Sequence, residues 1–260
     1  MKKNKNINFI NWVGVYTLFT KETKRFCKVY QQTILAPAFT SLLFFLVISI
    51  AIGSRVNYEF NYINFLAPGL IVMTMMQNAF ANTSSSILGS KMQGNIVDLL
   101  MPPLNSNEII FSYVSAAIIR SILVGFLTWL FIYPFSELHL FSLSILFIYT
   151  ILGSILLALL GLIAGIWSEK FDNMSGITNF IITPLTFLSG TFYTIDRLPE
   201  PFFTISLFNP FYYIIDGFRN AFQSDTNHNL VYGITYISML NLILYLLCYY
   251  ILKKGWMLKP

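Results

Sequence analysis

Charge is scarce in this chain. Lys, Arg, Asp and Glu together make up 10% of its 260 residues, against roughly 25% in a soluble domain. So few charges cannot cover a water-facing surface, which excludes an ordinary soluble globule and leaves an outer surface that faces lipid. Cysteine and histidine are scarcer still, with 2 of each. Cys27 lies in a basic segment and Cys248 in a long apolar run, so no disulfide is expected, and an isolated cysteine in such a run behaves as a small hydrophobe. His139 and His228 have no partner at metal-ligand spacing. There is no His-Glu-x-x-His helix signature, no Gly-x-Ser-x-Gly elbow and no Gly-x-x-x-x-Gly-Lys-Ser/Thr phosphate loop. The chain is therefore not expected to hydrolyse ATP itself. Its acidic residues outside the cytoplasmic side, Glu59, Glu137, Asp196, Glu200, Asp216 and Asp225, are scattered and form no catalytic set. The first apolar residues are interleaved with charge, so no cleavable leader is expected.

Apolar residues dominate instead: 56% are hydrophobic and 17% aromatic, with a mean hydropathy of +0.66. Runs long enough to cross a bilayer lie near 34–53, 65–88, 109–135, 140–167, 177–195 and 230–252; a crossing helix needs about 20 residues. The second run is interrupted by Gln77, Asn78, Asn82 and Thr83-Ser84-Ser85-Ser86, polar groups that in a span face protein or water rather than lipid. Residues 202–222 could be a further span, but Asn209, Pro210, Asp216 and Arg219 oppose it. Charge bias decides between the two counts. With six spans and the N-terminus inside, Lys2, Lys3, Lys5, Lys21, Lys24, Arg25, Lys28, Lys91, Lys170, Lys253, Lys254 and Lys259 fall on the cytoplasmic side, and only Arg55, Arg197 and Arg219 fall outside. A seventh span would carry Lys253, Lys254 and Lys259 across. The net charge of +5 thus reads as an orientation signal and an attraction to anionic headgroups, with no nucleic-acid patch in it.

The chain is read as an all-α integral membrane protein, a single domain over residues 1–260. Residues 10–32 are too polar to cross. Trp12, Tyr16, Phe19, Phe26 and Tyr30 share one helical stripe, and Lys21, Lys24, Arg25 and Lys28 cluster opposite. This describes an amphipathic helix lying in the inner interface, aromatic face in lipid and basic face toward headgroups. Residues 195–229 are too apolar for a free loop and too polar for a span; short re-entrant helices broken at Pro199, Pro201 and Pro210 fit them, on the external side between spans 5 and 6. Gly161 and Gly165 permit close helix approach in the fourth span, and Pro184 is expected to kink the fifth. Arg120 is the one charge well inside a span; it is placed to snorkel to the cytoplasmic headgroups or to meet a substrate.

Residues 89–108 form a cytoplasmic loop with a distinctive stretch, GNIVDLLMPPLNSNEI. Leu99-Leu100-Met101 should end a short helix, because Pro102-Pro103 cannot continue its ladder. Asn105 can cap a new helix with Glu108 three residues on, a capping box. The expected order is helix, hard stop, and capped restart into the third span.

Here the sequence resembles the permeases of ABC-2 type transporters. Leu99-Leu100-x-x-Pro103-Leu104-x-x-x-Glu108-Ile109 is similar to that family's first cytoplasmic loop. Ser189-Gly190-Thr191-Phe192-Tyr193, followed by Leu198-Pro199, Asn209-Pro210 and Arg219, is similar to its segment between spans 5 and 6. The resemblance covers nearly the whole chain in motif order, span count and length. It implies a permease subunit of an ATP-driven exporter in a bacterial plasma (inner) membrane, both termini cytoplasmic. A second copy would complete the pathway, and a separate ATP-binding subunit would hold ATP and Mg, leaving no cofactor in this chain. Docking on that subunit would fall to Gln93, Gly94, Asn95, Asp98, Leu99, Leu100, Pro103 and Glu108. The interfacial helix would bring Trp12, Tyr16, Phe19, Lys21, Lys24, Arg25 and Lys28, and Arg120, Gly190, Phe192, Tyr193, Asn209, Pro210 and Arg219 would belong to a pathway or gate. The family often carries an acid and an arginine ahead of the loop glycine, where this chain has Lys91-Met92-Gln93-Gly94. A membrane-embedded lipid-modifying enzyme and a non-transporting scaffold are the alternatives; an enzyme would need catalytic polar groups converging at one depth.

Overall fold

The computed structural model describes residues 10–53, 62–222 and 230–255. Arg55, Glu59, Asp225, His228, Lys2, Lys3, Lys5 and Lys259 lie outside them. Among the described residues every regular element is helical. Helix α1 is Trp12–Lys28, and a π-helical turn, Gln31–Leu35, leads from it into α2, Ala36–Gly53. Then come α3, Tyr62–Met92, the short α4, Ile96–Leu100, and α5, Ser106–Ile132. Helix α6 is Leu143–Trp167; α7, Phe171–Ile177, runs through a second π turn, Thr178–Ile182, into α8, Thr183–Phe187. Two short helices, α9, Glu200–Phe208, and α10, Pro210–Asn220, precede the last long one, α11, Leu230–Lys254.

Among the described residues, five helical stretches are long and apolar enough to cross a membrane: Gln31–Ala51, Tyr62–Met92, Ser106–Phe135, Leu143–Trp167 and Leu230–Lys254. The expected span over 177–195 differs. Its helix begins earlier, at Phe171, and stops at Phe187, a length of about 25 Å. Leu188–Tyr193 turn back instead of continuing. The hydrophobic run does extend to Tyr193, but Gly190 takes a left-handed φ of 72°, and the hydroxyls of Ser189 and Thr191 both bond to Thr186 O. The helix end is therefore satisfied locally. Pro184 has no N–H to donate, and the π turn just before it takes up the mismatch: Thr183 N–H bonds to Thr178 O, one residue further back than in an α-helix. Residues 195–220 do form short helices, with Pro199 capping α9 and Pro210 opening α10, as the prolines predict. Helix α10 is well buried, with Phe211, Ile214, Ile215 and Phe218 in the core.

Helix α3 is the pole around which the others pack. Over 31 residues it rises about 46 Å, longer than the ~30 Å hydrocarbon layer, so its last turns reach beyond it. Packing between apolar helices in lipid relies on close approach and polar links, because hydrocarbon tails are as apolar as Leu. Both devices are present. A Cβ on Gly161 would lie 2.5 Å from Phe80 O on α3, and one on Gly165 2.8 Å from Ser84 O. Thr83 Oγ1 donates to Ala158 O at 2.8 Å beside that contact. Ser41 and Thr74 link α2 to α3 at 2.9 Å, Ser121 and Ser154 link α5 to α6 at 2.7 Å, and Asn241 Nδ2 ties α11 to Leu152 O at 3.1 Å.

The α3–α6 contact yields a test. Gly161→Ala forces a methyl against a backbone carbonyl that cannot move aside, and the expected cost is about 2 kcal/mol, read as a lower thermal midpoint in detergent. Gly176→Ala, where a Cβ meets nothing within 4 Å, serves as the control and should be neutral or stabilising by up to about 1 kcal/mol.

Candidate functional site

The loop between α3 and α5 has the expected order. Helix α3 ends at Met92, and Gly94, with φ 73°, reverses the chain in a conformation that a side chain would strain. Helix α4 then runs for 5 residues. Ile96 and Leu99 face inward and are buried, while Gln93, Gly94, Asn95, Val97, Asp98, Met101, Pro102 and Pro103 are exposed. Leu100 closes the helix by its backbone; its side chain lies outside what is described. Asn105 caps α5, and its N–H donates to Glu108 Oε2 at 2.7 Å in a capping box. Glu108 is 5% exposed. Of the residues expected to dock a partner, Leu99 and Glu108 therefore hold the loop from within, and the rest of those described form its surface.

Helix α1 has three faces rather than two. Trp12 and Tyr16 are exposed and Phe19 half-buried; Lys21, Lys24 and Lys28 are exposed. Between these faces, Val15, Leu18, Glu22 and Phe26 are buried against the bundle. Phe26 thus leaves the lipid-facing stripe assigned to it, and Arg25 leaves the solvent face. At about 100° per residue both border the third face, which the presence of an acid, Glu22, disguised. Arg25 Nε meets Glu22 Oε2 at 3.1 Å, and its Nη2 donates to Asn82 O at 2.7 Å and Asn82 Oδ1 at 3.0 Å.

Arg120 does not snorkel. It is 6% exposed, and its guanidinium donates to Asn78 Oδ1 at 2.9 Å and Asn82 Oδ1 at 3.5 Å. Its position in α5 turns it toward α3, where two amides one helical turn apart await it. Asn82 thus accepts from guanidinium groups of both α1 and α5. The chain Glu22–Arg25–Asn82–Arg120–Asn78 crosses three helices inside an apolar bundle. A charge in such a place demands oxygens brought by the protein. The signal for Asn78 and Asn82 was the polar interruption of an apolar run; Glu22 was marked only by its spacing of three from Arg25.

The second expected group assembles elsewhere, around the turn after α8. Arg219 is 6% exposed; it donates to Gly190 O at 3.0 Å and Phe65 O at 3.2 Å, and its guanidinium carbon lies 3.6 Å over the Phe65 ring. Tyr62 Oη donates to Phe192 O at 2.9 Å and Tyr193 Oη to Phe187 O at 3.1 Å. Asn209 Nδ2 donates to Leu185 O at 2.7 Å while its Oδ1 caps Phe211 N–H at 3.0 Å, with Pro210 as the first residue of α10. Gly190, Phe192, Tyr193, Asn209, Pro210 and Arg219 are therefore one assembly that pins the turn to α3 and α10, and Arg120 is not part of it. Beside Phe192 a groove of about 300 Å³ opens between α2, α3 and α8, its polar lining supplied by neutral side chains such as Gln32, Ser41, Thr74 and Gln77.

A helical bundle with five membrane-length apolar helices among the described residues, and a capped loop between the second and third of them, defines a multi-pass membrane protein. A family model described as ABC-2 type transporter matches residues 14–222. The inner membrane transport permease YadH of Escherichia coli strain K12 is 35% identical over 249 residues, 94% of this chain and 96% of that protein. The protein of the same name from Shigella flexneri matches to the same extent. Nodulation protein J of Rhizobium leguminosarum bv. viciae is 26% identical over 161 residues, 61% of this chain and 62% of that protein. The chain belongs to the ABC-2 type transporter family.

Because the Asn82 amide oxygen accepts from two guanidinium groups, Asn82→Leu should cost about 2 kcal/mol: Arg120 keeps Asn78 Oδ1 but loses its second acceptor, and Arg25 keeps Glu22 and the residue 82 carbonyl but loses Oδ1. Adding Arg120→Met to Asn82→Leu should recover part of that loss, a non-additivity visible in thermal unfolding of the purified single and double variants.

Proposed function

We propose that the chain is the permease subunit of an ATP-driven exporter, working as a pair of copies with a separate ATP-binding subunit. In this reading Phe171–Phe187 counts as the fifth of six spans, both ends of the chain are cytoplasmic, and α1 lies along the inner interface of a bacterial inner membrane. Helices α9 and α10 cap the bundle as re-entrant elements on the outer side. Support comes from family membership, from the name of the Escherichia coli relative, and from the missing phosphate loop, which leaves ATP and Mg to a partner.

The observation that carries the reading is the loop between α3 and α5. A five-residue helix presents Gln93, Asn95, Asp98 and Pro103 outward, while Ile96 and Leu99 anchor it inward. The prolines stop it and the Asn105–Glu108 cap restarts the chain as α5. Such a loop can act as a lever. A partner whose shape differs between its ATP-bound and ATP-free states would bind the loop differently in each, and that difference in affinity is what shifts a permease between conformations. The lever transmits only if loop and span are rigidly joined. The groove between α2, α3 and α8 is the stretch of pathway wall that one copy would contribute; its lining suits an uncharged amphiphile.

Tagged chain expressed with its cognate ATP-binding subunit should retain that subunit through purification, and vesicles holding both should move cargo only with ATP. Pro103→Gly and Asp98→Lys should leave insertion into the membrane intact yet reduce transport per ATP hydrolysed by about tenfold. Full transport by vesicles carrying either variant would falsify the assignment of this loop.

A further inference from the structure

Glu108 has more to do than cap one helix. Its Oε2 accepts the N–H of Asn105, the cap residue of α5, at 2.7 Å; its Oε1 accepts the N–H of Asn11, the cap residue of α1, also at 2.7 Å. Residues 11 and 108 are 97 positions apart in the chain. One buried carboxylate thus receives the first N–H groups of two helices whose positive ends converge on it, the arrangement in which a carboxylate bonds most strongly.

The surroundings reinforce the joint. Asn11 Oδ1 caps Gly14 N–H at 3.0 Å, and Ser112 Oγ donates to Val15 O at 3.2 Å. Leu104, the residue after the two prolines, packs where Gly14 has no side chain; a Cβ there would lie 2.6 Å from Leu104 Cδ2. The loop, the start of α5 and the start of α1 therefore meet at a single point, and Glu108 occupies it. On the far side α1 is held to α3 through Arg25 and Asn82.

We propose that Glu108 is the positioning residue that fastens α1 to the coupling loop, so that a partner pushing on the loop moves α1 with it. The proposal rests on the function assigned above. Displacing the loop and the start of α5 away from α1 would break the bond from Asn11 N–H to Oε1, while the capping bond from Asn105 travels with α5; displacing them together with α1 breaks neither. Helix α1 becomes the second arm of the lever, and its links to α3 carry the motion into the bundle.

The experiment uses the full chain in lipid nanodiscs, with Cys27→Ser and spin labels at Thr17→Cys on α1 and Met101→Cys on the loop, both exposed positions. Asn11→Pro deletes the N–H that Oε1 accepts and leaves the cap of α5 in place; its backbone φ of −82° suits proline. Asn11→Ala loses the same side chain but keeps the N–H. The unaltered chain and Asn11→Ala should give one narrow distance, whereas Asn11→Pro and Glu108→Gln should raise a second, undocked population about tenfold. With the ATP-binding subunit present, the same two variants should lose transport per ATP hydrolysed, and Asn11→Ala should retain it. A narrow distance in Asn11→Pro overturns the joint, and an undocked α1 with full coupling overturns its role as a lever arm. No ATP-driven transport by the unaltered chain overturns the function assigned above and leaves the distance result standing.

Discussion

A charge or amide inside a lipid-embedded bundle must find its partner within the protein, because neither hydrocarbon nor water will supply one. The architecture is organised by that constraint. Helix α3 carries Asn78 and Asn82 on the side where α1 and α5 approach, and the guanidinium groups of Arg25 and Arg120 converge on them. Moving α3 and α5 apart by a few ångströms would strand the buried Arg120 charge, at a cost of several kcal/mol, and moving α1 would break the bonds from Arg25 to Asn82. Apolar contacts tolerate sliding; these bonds do not. They fix the register of the bundle, while Gly161 and Gly165 let α6 come close on another side of α3.

The same logic recurs at both ends of the molecule. At the end reached by α5's first turn, Glu108 joins two helix starts that would otherwise expose their N–H groups. At the other end, Arg219 gathers the carbonyls of Phe65 and Gly190 and holds the turn after α8 against α3. Each joint ties segments far apart in sequence through one side chain. Rigid joints at both ends of a central pole are what a protein needs if a push at one end is to be felt at the other, since packed elements with few alternative arrangements transmit displacement and soft ones absorb it.

Much of this was legible in residue order. The capping box was written in the spacing of Asn105 and Glu108 and stands as expected. The prolines at 102 and 103 announced the end of α4, and those at 199, 201 and 210 announced short helices in place of a seventh span. These features depend on neighbours within a turn or two, so local chemistry decides them. The misreadings have the opposite character. The aromatic and basic stripes place Phe26 and Arg25 on outward faces, and nothing local says that the bundle buries a third side of α1. The sequence leaves Arg120 either snorkelling to the headgroups or meeting a substrate, because its acceptors sit on a different helix. The expected span over 177–195 ran too far because hydropathy does not sense a helix that ends on hydroxyls and a left-handed glycine.

Composition and periodicity by themselves determined that this is a helical membrane chain, located five of its membrane-length helices, and showed where the chain between α3 and α5 stops and restarts. Those properties follow from transfer into hydrocarbon and from backbone restriction, which act residue by residue. Only the tertiary structure decided which oxygens each buried charge uses. It made Glu108 a joint between two helices rather than a surface contact, and it kept Arg120 apart from the assembly around Arg219. Hydrogen bonds between segments are set by three-dimensional approach, and approach depends on every helix at once.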